Sequence, residues 1–180
     1  MRSRRLDGGS RSAGAGFAGA EAGKRRVVVA IGNGYRRDDG AGLAVAARLR
    51  GRVPSGVELV ECEQEPSRLI DACDGAAAAL VVDAVASGAP PGTLHRFDAS
   101  AGPVPARLFR SSTHAFGVGE AIELARVLGR LPARVIVYGI EGAAFGAGEG
   151  LTEPVATAVE RAADAVLADI CNPEGDLAHA

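Results

Sequence analysis

Apolar residues first gather at positions 27–31, an unbroken run of Val, Ala and Ile bounded by Gly32 and Asn33. Such a run, rich in β-branched residues and without polar alternation, predicts a strand buried on both faces, as in a parallel sheet. A loop with two arginines follows. Asp38 is then placed to cap a helix over residues 40–50, with Leu43, Ala46, Ala47 and Leu49 available for its core face. The same alternation continues along the chain. Strands are predicted at 57–61, 79–85 and 134–140, and helices at 66–74 and at 117–131, the latter capped near Ser112 or Thr113. A last helix from Thr152 carries Val155, Val159, Ala163, Val166 and Ile170 along one stripe. The turn Pro90-Pro91-Gly92 introduces a short strand at 93–97, suited to antiparallel pairing at a sheet edge.

Alternating strands and helices predict an α/β fold: a three-layer sandwich with a mostly parallel five-stranded sheet, helices on both faces and one antiparallel edge strand. Residues 1–24 lack apolar periodicity and read as a flexible basic lead-in, dispensable for activity; residues 25–171 form a single domain and 172–180 a tail. No internal repeat of fixed period is evident.

Composition narrows the function classes. The 180 residues, 47% hydrophobic and 23% charged, suit one domain with a real core. Cys62, Cys73 and Cys171 are an odd set without a C-x-x-C pair, which argues against a disulfide framework or a zinc ribbon and for a reducing, cytoplasmic setting. No apolar run approaches the length of a membrane span, and the basic N-terminus lacks a compact apolar stretch after it. Residues 1–26 hold 7 basic and 2 acidic side chains, which leaves 13 basic against 20 acidic in the remainder, a surplus of seven negative charges. An acidic surface with few aromatics is poorly suited to nucleic acid. A monomer is expected.

Three residues carry candidate chemistry at the carboxyl ends of predicted strands, where ligand sites in open α/β sheets gather. Asp39 sits in the first turn of a helix, a position that the helix dipole alone would explain. Asp83 interrupts Leu80-Val81-Val82 and Ala84-Val85, and a carboxylate inside an apolar strand needs a partner or a metal. His114 opens a helix after Ser111-Ser112-Thr113, where the positive helix end disfavours the imidazolium and keeps a neutral ring available as a ligand. Two carboxylates and one imidazole at one sheet edge suit a borderline divalent ion such as nickel or zinc. Competing signatures fail: the chain has no G-x-S-x-G, H-E-x-x-H or G-x-x-x-x-G-K. Gly32-Asn33-Gly34 begins a dinucleotide fingerprint, but Arg37 takes the third glycine position, and Asp38 and Asp39 would face a pyrophosphate. Cys62, at a strand end, is either a nucleophile paired with His114 or, by default, a buried structural thiol; Cys73 and Cys171 read as packing or tail residues.

From about residue 27 to 170 the sequence resembles the hydrogenase maturation peptidases of nickel-iron hydrogenases. The resemblance lies in Ala30-Ile31-Gly32-Asn33 leading to Asp38-Asp39-Gly40-Ala41-Gly42, in Val81-Val82-Asp83-Ala84 followed by Pro91-Gly92, in Ser111-Ser112-Thr113-His114, and in Val137-Tyr138-Gly139-Ile140-Glu141. It implies a twisted five-stranded sheet between helices. It also implies metal-binding roles for Asp39, Asp83 and His114, and an aspartic-type endopeptidase in which Asp39 and Asp83 are catalytic. The implied partner is the precursor of a hydrogenase large subunit, whose own nickel is recognised while the C-terminal extension is removed; zinc or cadmium would occupy the same ligands in vitro. Three departures stand out: Ala30 replaces a common glycine, Gly34 a bulkier residue, and Cys62-Glu63-Gln64 a short glycine-containing stretch, the last a change that would retune substrate recognition. Two other readings stay open, a nickel-dependent docking chaperone that does not cut and a peptidase for a different precursor.

Overall fold

The strands β1 (Arg26–Gly32), β3 (Ala78–Val85) and β5 (Arg134–Glu141) carry long apolar runs, broken in β3 by Asp83, and each is buried along nearly its whole length. They form the interior of a five-stranded sheet ordered β2-β1-β3-β5-β4, with β2 (Val57–Glu63) and β4 (Leu94–Asp98) at the edges. All neighbours pair in parallel except β4, which runs antiparallel to β5. The computed structural model describes residues 25–63, 65, 67–100, 102–105 and 117–171.

Alternation along each strand sends side chains to two separate cores. On one face Val27, Val29, Val81, Val135 and Val137 meet α2 (Arg68–Cys73) and α3 (Val118–Val127). On the other, Val28, Leu80, Val82, Ile136 and Tyr138 meet α1 (Ala41–Leu49) and α4 (Glu153–Cys171). Each fully buried Val, Leu or Ile contributes about 1.5–3 kcal/mol by leaving water, so a sheet covered on both sides needs no other staple. The expected three-layer α/β sandwich with an antiparallel edge strand is the observed architecture.

Helix boundaries depart from the sequence reading in three helices. The helix expected at 66–74 is the shorter α2. The helix expected to run to residue 131 ends at Val127, because Gly129 takes a left-handed φ of 68° and closes a Schellman motif. Its amide donates to the Arg126 carbonyl at 3.0 Å, and the Arg130 amide to that of Ala125 at 2.9 Å. At the other end Gly117 is the N-cap of α3, its amide donating to the Glu120 carboxylate at 3.1 Å; the expected caps Ser112 and Thr113 lie outside the described residues. Finally, Asp38 does not cap α1. It lies in a 3-10 turn, Arg37–Gly40, and the residue at the cap is Gly40.

Candidate active site

Asp39 and Asp83 meet at the carboxyl edge of the parallel strands. Asp39 lies in the 3-10 turn after β1, half-buried, and its carbonyl accepts the Asn33 amide at 3.1 Å, which folds the turn back over the end of β1. Asp83 is 8% exposed near the end of β3, in register with Gly139 of β5 and on the same face as Val81 and Val85. The start of α1 approaches the sheet so closely that only glycine fits at position 42. A Cβ there would lie 2.2 Å from the Ile31 carbonyl oxygen and 2.6 Å from that of Val82, the residue before Asp83. This packing brings the Asp39 turn to the Asp83 strand.

The electrostatics follow from that proximity. Burial, and then the nearby charge of Asp39, push the Asp83 carboxyl well above the ordinary aspartate range, against a single opposing hydrogen bond from the Ala84 amide at 2.8 Å. A buried carboxylate facing a second carboxylate is a site in which a cation would relieve both desolvation and repulsion. The donor chemistry therefore fits a divalent ion, with two hard oxygen ligands from Asp39 and Asp83. The third expected ligand, His114, lies outside the described residues, and among those residues no three acidic, histidine or cysteine side chains cluster to hold a metal.

Asp38 is an anchor that sequence reasoning mistook for a cap. It is fully buried, and its Oδ2 accepts the amides of Ala143 and Ala144, both at 2.9 Å, and the Thr152 hydroxyl at 2.9 Å; its Oδ1 accepts the Thr152 amide at 2.7 Å. Burial alone would raise this carboxyl, yet the hydrogen bonds from Thr152, Ala143 and Ala144 together hold it below the ordinary range. The turn bearing Asp39 is thus tied to the segment between β5 and α4.

A third buried carboxylate, Glu141, was not singled out from the sequence. It is 2% exposed and accepts the Ser87 hydroxyl at 2.7 Å and the Gly88 amide at 2.8 Å, with His95 Nε2 at 3.2 Å. These bonds fix the loop that leaves β3 just beyond Asp83. Two of the cysteines behave as packing residues, while Cys171 is exposed: Cys62 and Cys73 are buried, and burial pushes the first thiol up and the second to about 11. Neither is poised as a thiolate nucleophile.

The molecule is an α/β domain whose candidate site is an acid pair at the carboxyl edge of a mixed, mostly parallel sheet. A family model for hydrogenase maturation proteases matches residues 44–169. The hydrogenase expression/formation protein HupD of Thiocapsa roseopersicina is 30% identical over 117 residues, 64% of this chain and 53% of HupD. The corresponding protein HupM of Azotobacter chroococcum mcd 1 is 30% identical over 145 residues, 79% of this chain and 69% of HupM. The chain thus spans little more than half the length of HupD. Among solved structures, the hydrogenase maturating endopeptidase HybD from E. coli superposes with a TM-score of 0.71 at 22% identity, covering 83% of this chain and 94% of HybD. The maturation protease HycI from Thermococcus kodakarensis KOD1 gives 0.67 at 24% identity, covering 84% and 96%. At that identity these two establish the shared fold. The chain belongs to the hydrogenase maturation protease family.

Proposed function

We propose that this protein is an endopeptidase that removes the C-terminal extension from the precursor of a nickel-iron hydrogenase large subunit, after nickel has been installed in that precursor. The observation that carries the reading is the meeting of Asp39 and Asp83 at the carboxyl edge of the sheet, within a chain of the hydrogenase maturation protease family. Nickel belongs to the substrate. Asp39 and Asp83 engage it from the enzyme side, with His114 as third ligand. The direction of α3 is fixed by two contacts: Arg126, late in the helix, donates to the Gly102 carbonyl at 3.0 Å, and Ser100 beside it accepts the Val135 amide at the start of β5. The end of α3 therefore lies at the amino edge of the sheet and its beginning toward the carboxyl edge, and His114 stands three positions before Gly117 in the sequence.

The two acids divide the work by their exposure. Asp83, nearly sealed, serves as a fixed ligand. Asp39, more open to solvent, would accept the proton of the attacking water and pass it to the departing amine, while the substrate's metal would polarise the scissile carbonyl or activate the water. Two carboxylates and an imidazole form a harder and weaker set than thiolate-rich sites, which favours brief capture of an ion brought by the substrate over a resident cofactor. Among the described residues no helix is long and apolar enough to cross a membrane.

The test is to incubate the purified protein with matched precursors, with and without nickel, and to follow release of the C-terminal peptide by mass. Release from the nickel-loaded precursor alone is the expected result. Cleavage of the nickel-free precursor would refute recognition through the metal. Binding of the nickel-loaded precursor without cleavage would replace the peptidase by a docking chaperone.

A further inference from the structure

The turn that carries Asp39 also presents a cation that pairs with no carboxylate or carbonyl among the described residues. Every other arginine among the described residues holds a carboxylate or a main-chain carbonyl, from the Arg25–Glu58 pair at 2.8 Å to Arg161 on the Gly92 carbonyl at 2.7 Å. Arg37 is exposed and has no such partner among the described residues. Its backbone is unusual as well. With φ at 52° it is the one non-glycine among the described residues in the left-handed region, a conformation that costs energy for a bulky side chain and persists only where the surroundings enforce it.

Those surroundings are explicit. The Arg37 amide donates to the Gly148 carbonyl at 2.8 Å, the Gly148 amide to the Tyr35 carbonyl at 2.9 Å, and the Arg36 guanidinium to the Phe145 carbonyl at 2.9 Å. The Arg37 side chain lies across Gly148, whose missing Cβ would stand 3.2 Å from Nε. Two residues earlier Tyr35 is 68% exposed, a large ring held out to solvent. A strained, strapped and unpaired cation two residues from Asp39 is pre-organised for something outside the domain.

We infer that Arg37, with Tyr35 beside it, is a docking surface for an acidic side chain in the peptide segment that the precursor presents to the site. This rests on the function proposed above. Charge decides the chemistry of the occupant. Residues 27–180 carry 13 basic against 20 acidic side chains, so the exposed guanidinium is a local exception on an acidic chain, and a single carboxylate is the group it attracts. The planar guanidinium grips a carboxylate through two hydrogen bonds, and the tyrosine ring covers apolar atoms next to it.

The experiment uses the full chain and nickel-loaded precursor, with affinity read from a fluorescently labelled precursor and KM and kcat from tail release. Arg37→Glu is expected to raise Kd and KM about tenfold and leave kcat within about twofold. Changing one acidic residue of the precursor near the cut to Arg should impose a similar loss on the wild type, and Arg37→Glu should restore it. Arg37→Gly releases the left-handed strain, so it should melt no lower than the wild type and still show the raised KM. KM for Arg37→Glu within twofold of wild type, or no precursor swap that restores binding, would overturn the inference. So would a loss reproduced only by amidating the precursor's terminal carboxylate. A wild type that binds but does not cut would sink the peptidase reading and leave the docking surface to stand on its Kd; one that does neither would sink both.

Discussion

Burial, and then the charge of Asp39 across the gap between the turn after β1 and the end of β3, raise the proton affinity of Asp83. A carboxyl whose folded pKa is raised contributes its full stability below the unfolded value near 3.8, and that contribution is lost as the pH climbs through the raised value. At neutral pH the acid pair therefore strains the metal-free protein.

Asp83→Asn should remove that strain while abolishing tail release. Its thermal midpoint at pH 7 should exceed the wild type's by a few degrees, on the order of 1 kcal/mol, and the gap should close as the pH falls toward 4. Calorimetry across that range checks it; a variant less stable than wild type at pH 7 would mean that the carboxylate is needed for folding.

Asp38 works in the opposite direction. Its pKa is held below the ordinary range, so its stabilisation is present above about pH 4 and is lost as the pH falls through the folded value. Asp38→Ala should cost about 3 kcal/mol at neutral pH, because four buried hydrogen bonds lose their acceptor. Urea titrations at pH 7 and pH 3 should show the difference between variant and wild type shrinking in acid.

Gly42→Ala probes the close approach itself. The added carbon meets the carbonyl oxygens of Ile31 and Val82, neither of which has a flexible end to move. A loss of about 1–3 kcal/mol is expected, as for an overpacked core. Because α1 must shift to accommodate the methyl, kcat for tail release should fall more than stability explains, which a comparison at a temperature where both proteins are fully folded would reveal.

The sheet and its order of burial were readable because unbroken Val, Ile and Leu runs have few other uses, and Asp83 was readable because a charge inside such a run has to be explained. Asp38 was misread for a physical reason. Capping rules look at donors within one turn, whereas its donors sit 105 to 114 positions further along the chain. Glu141 was passed over similarly, since an acid at a strand end looks like the exit to solvent until Ser87, Gly88 and His95 are found around it. The length of α3 was overestimated although Gly129 was in plain view.

His114→Ala offers the most direct check of the three-ligand set. Tail release should fall at least about a hundredfold, the scale on which altered metal sites lose affinity or activity, and precursor binding should weaken only when nickel is present. Equal weakening with nickel-free precursor would assign the histidine a role unrelated to the metal.

The tether from Asp38 to Ala143, Ala144 and Thr152 also bears on how the protein is made. A ribosome delivers Asp38 and Asp39 early, but the amides that fix their turn belong to a stretch synthesised more than 100 residues later. Until then the acidic loop has no geometry to work with. The loop can take its working shape only once synthesis has passed Thr152, so a nascent chain shorter than that carries Asp38 and Asp39 without the amides that hold their turn.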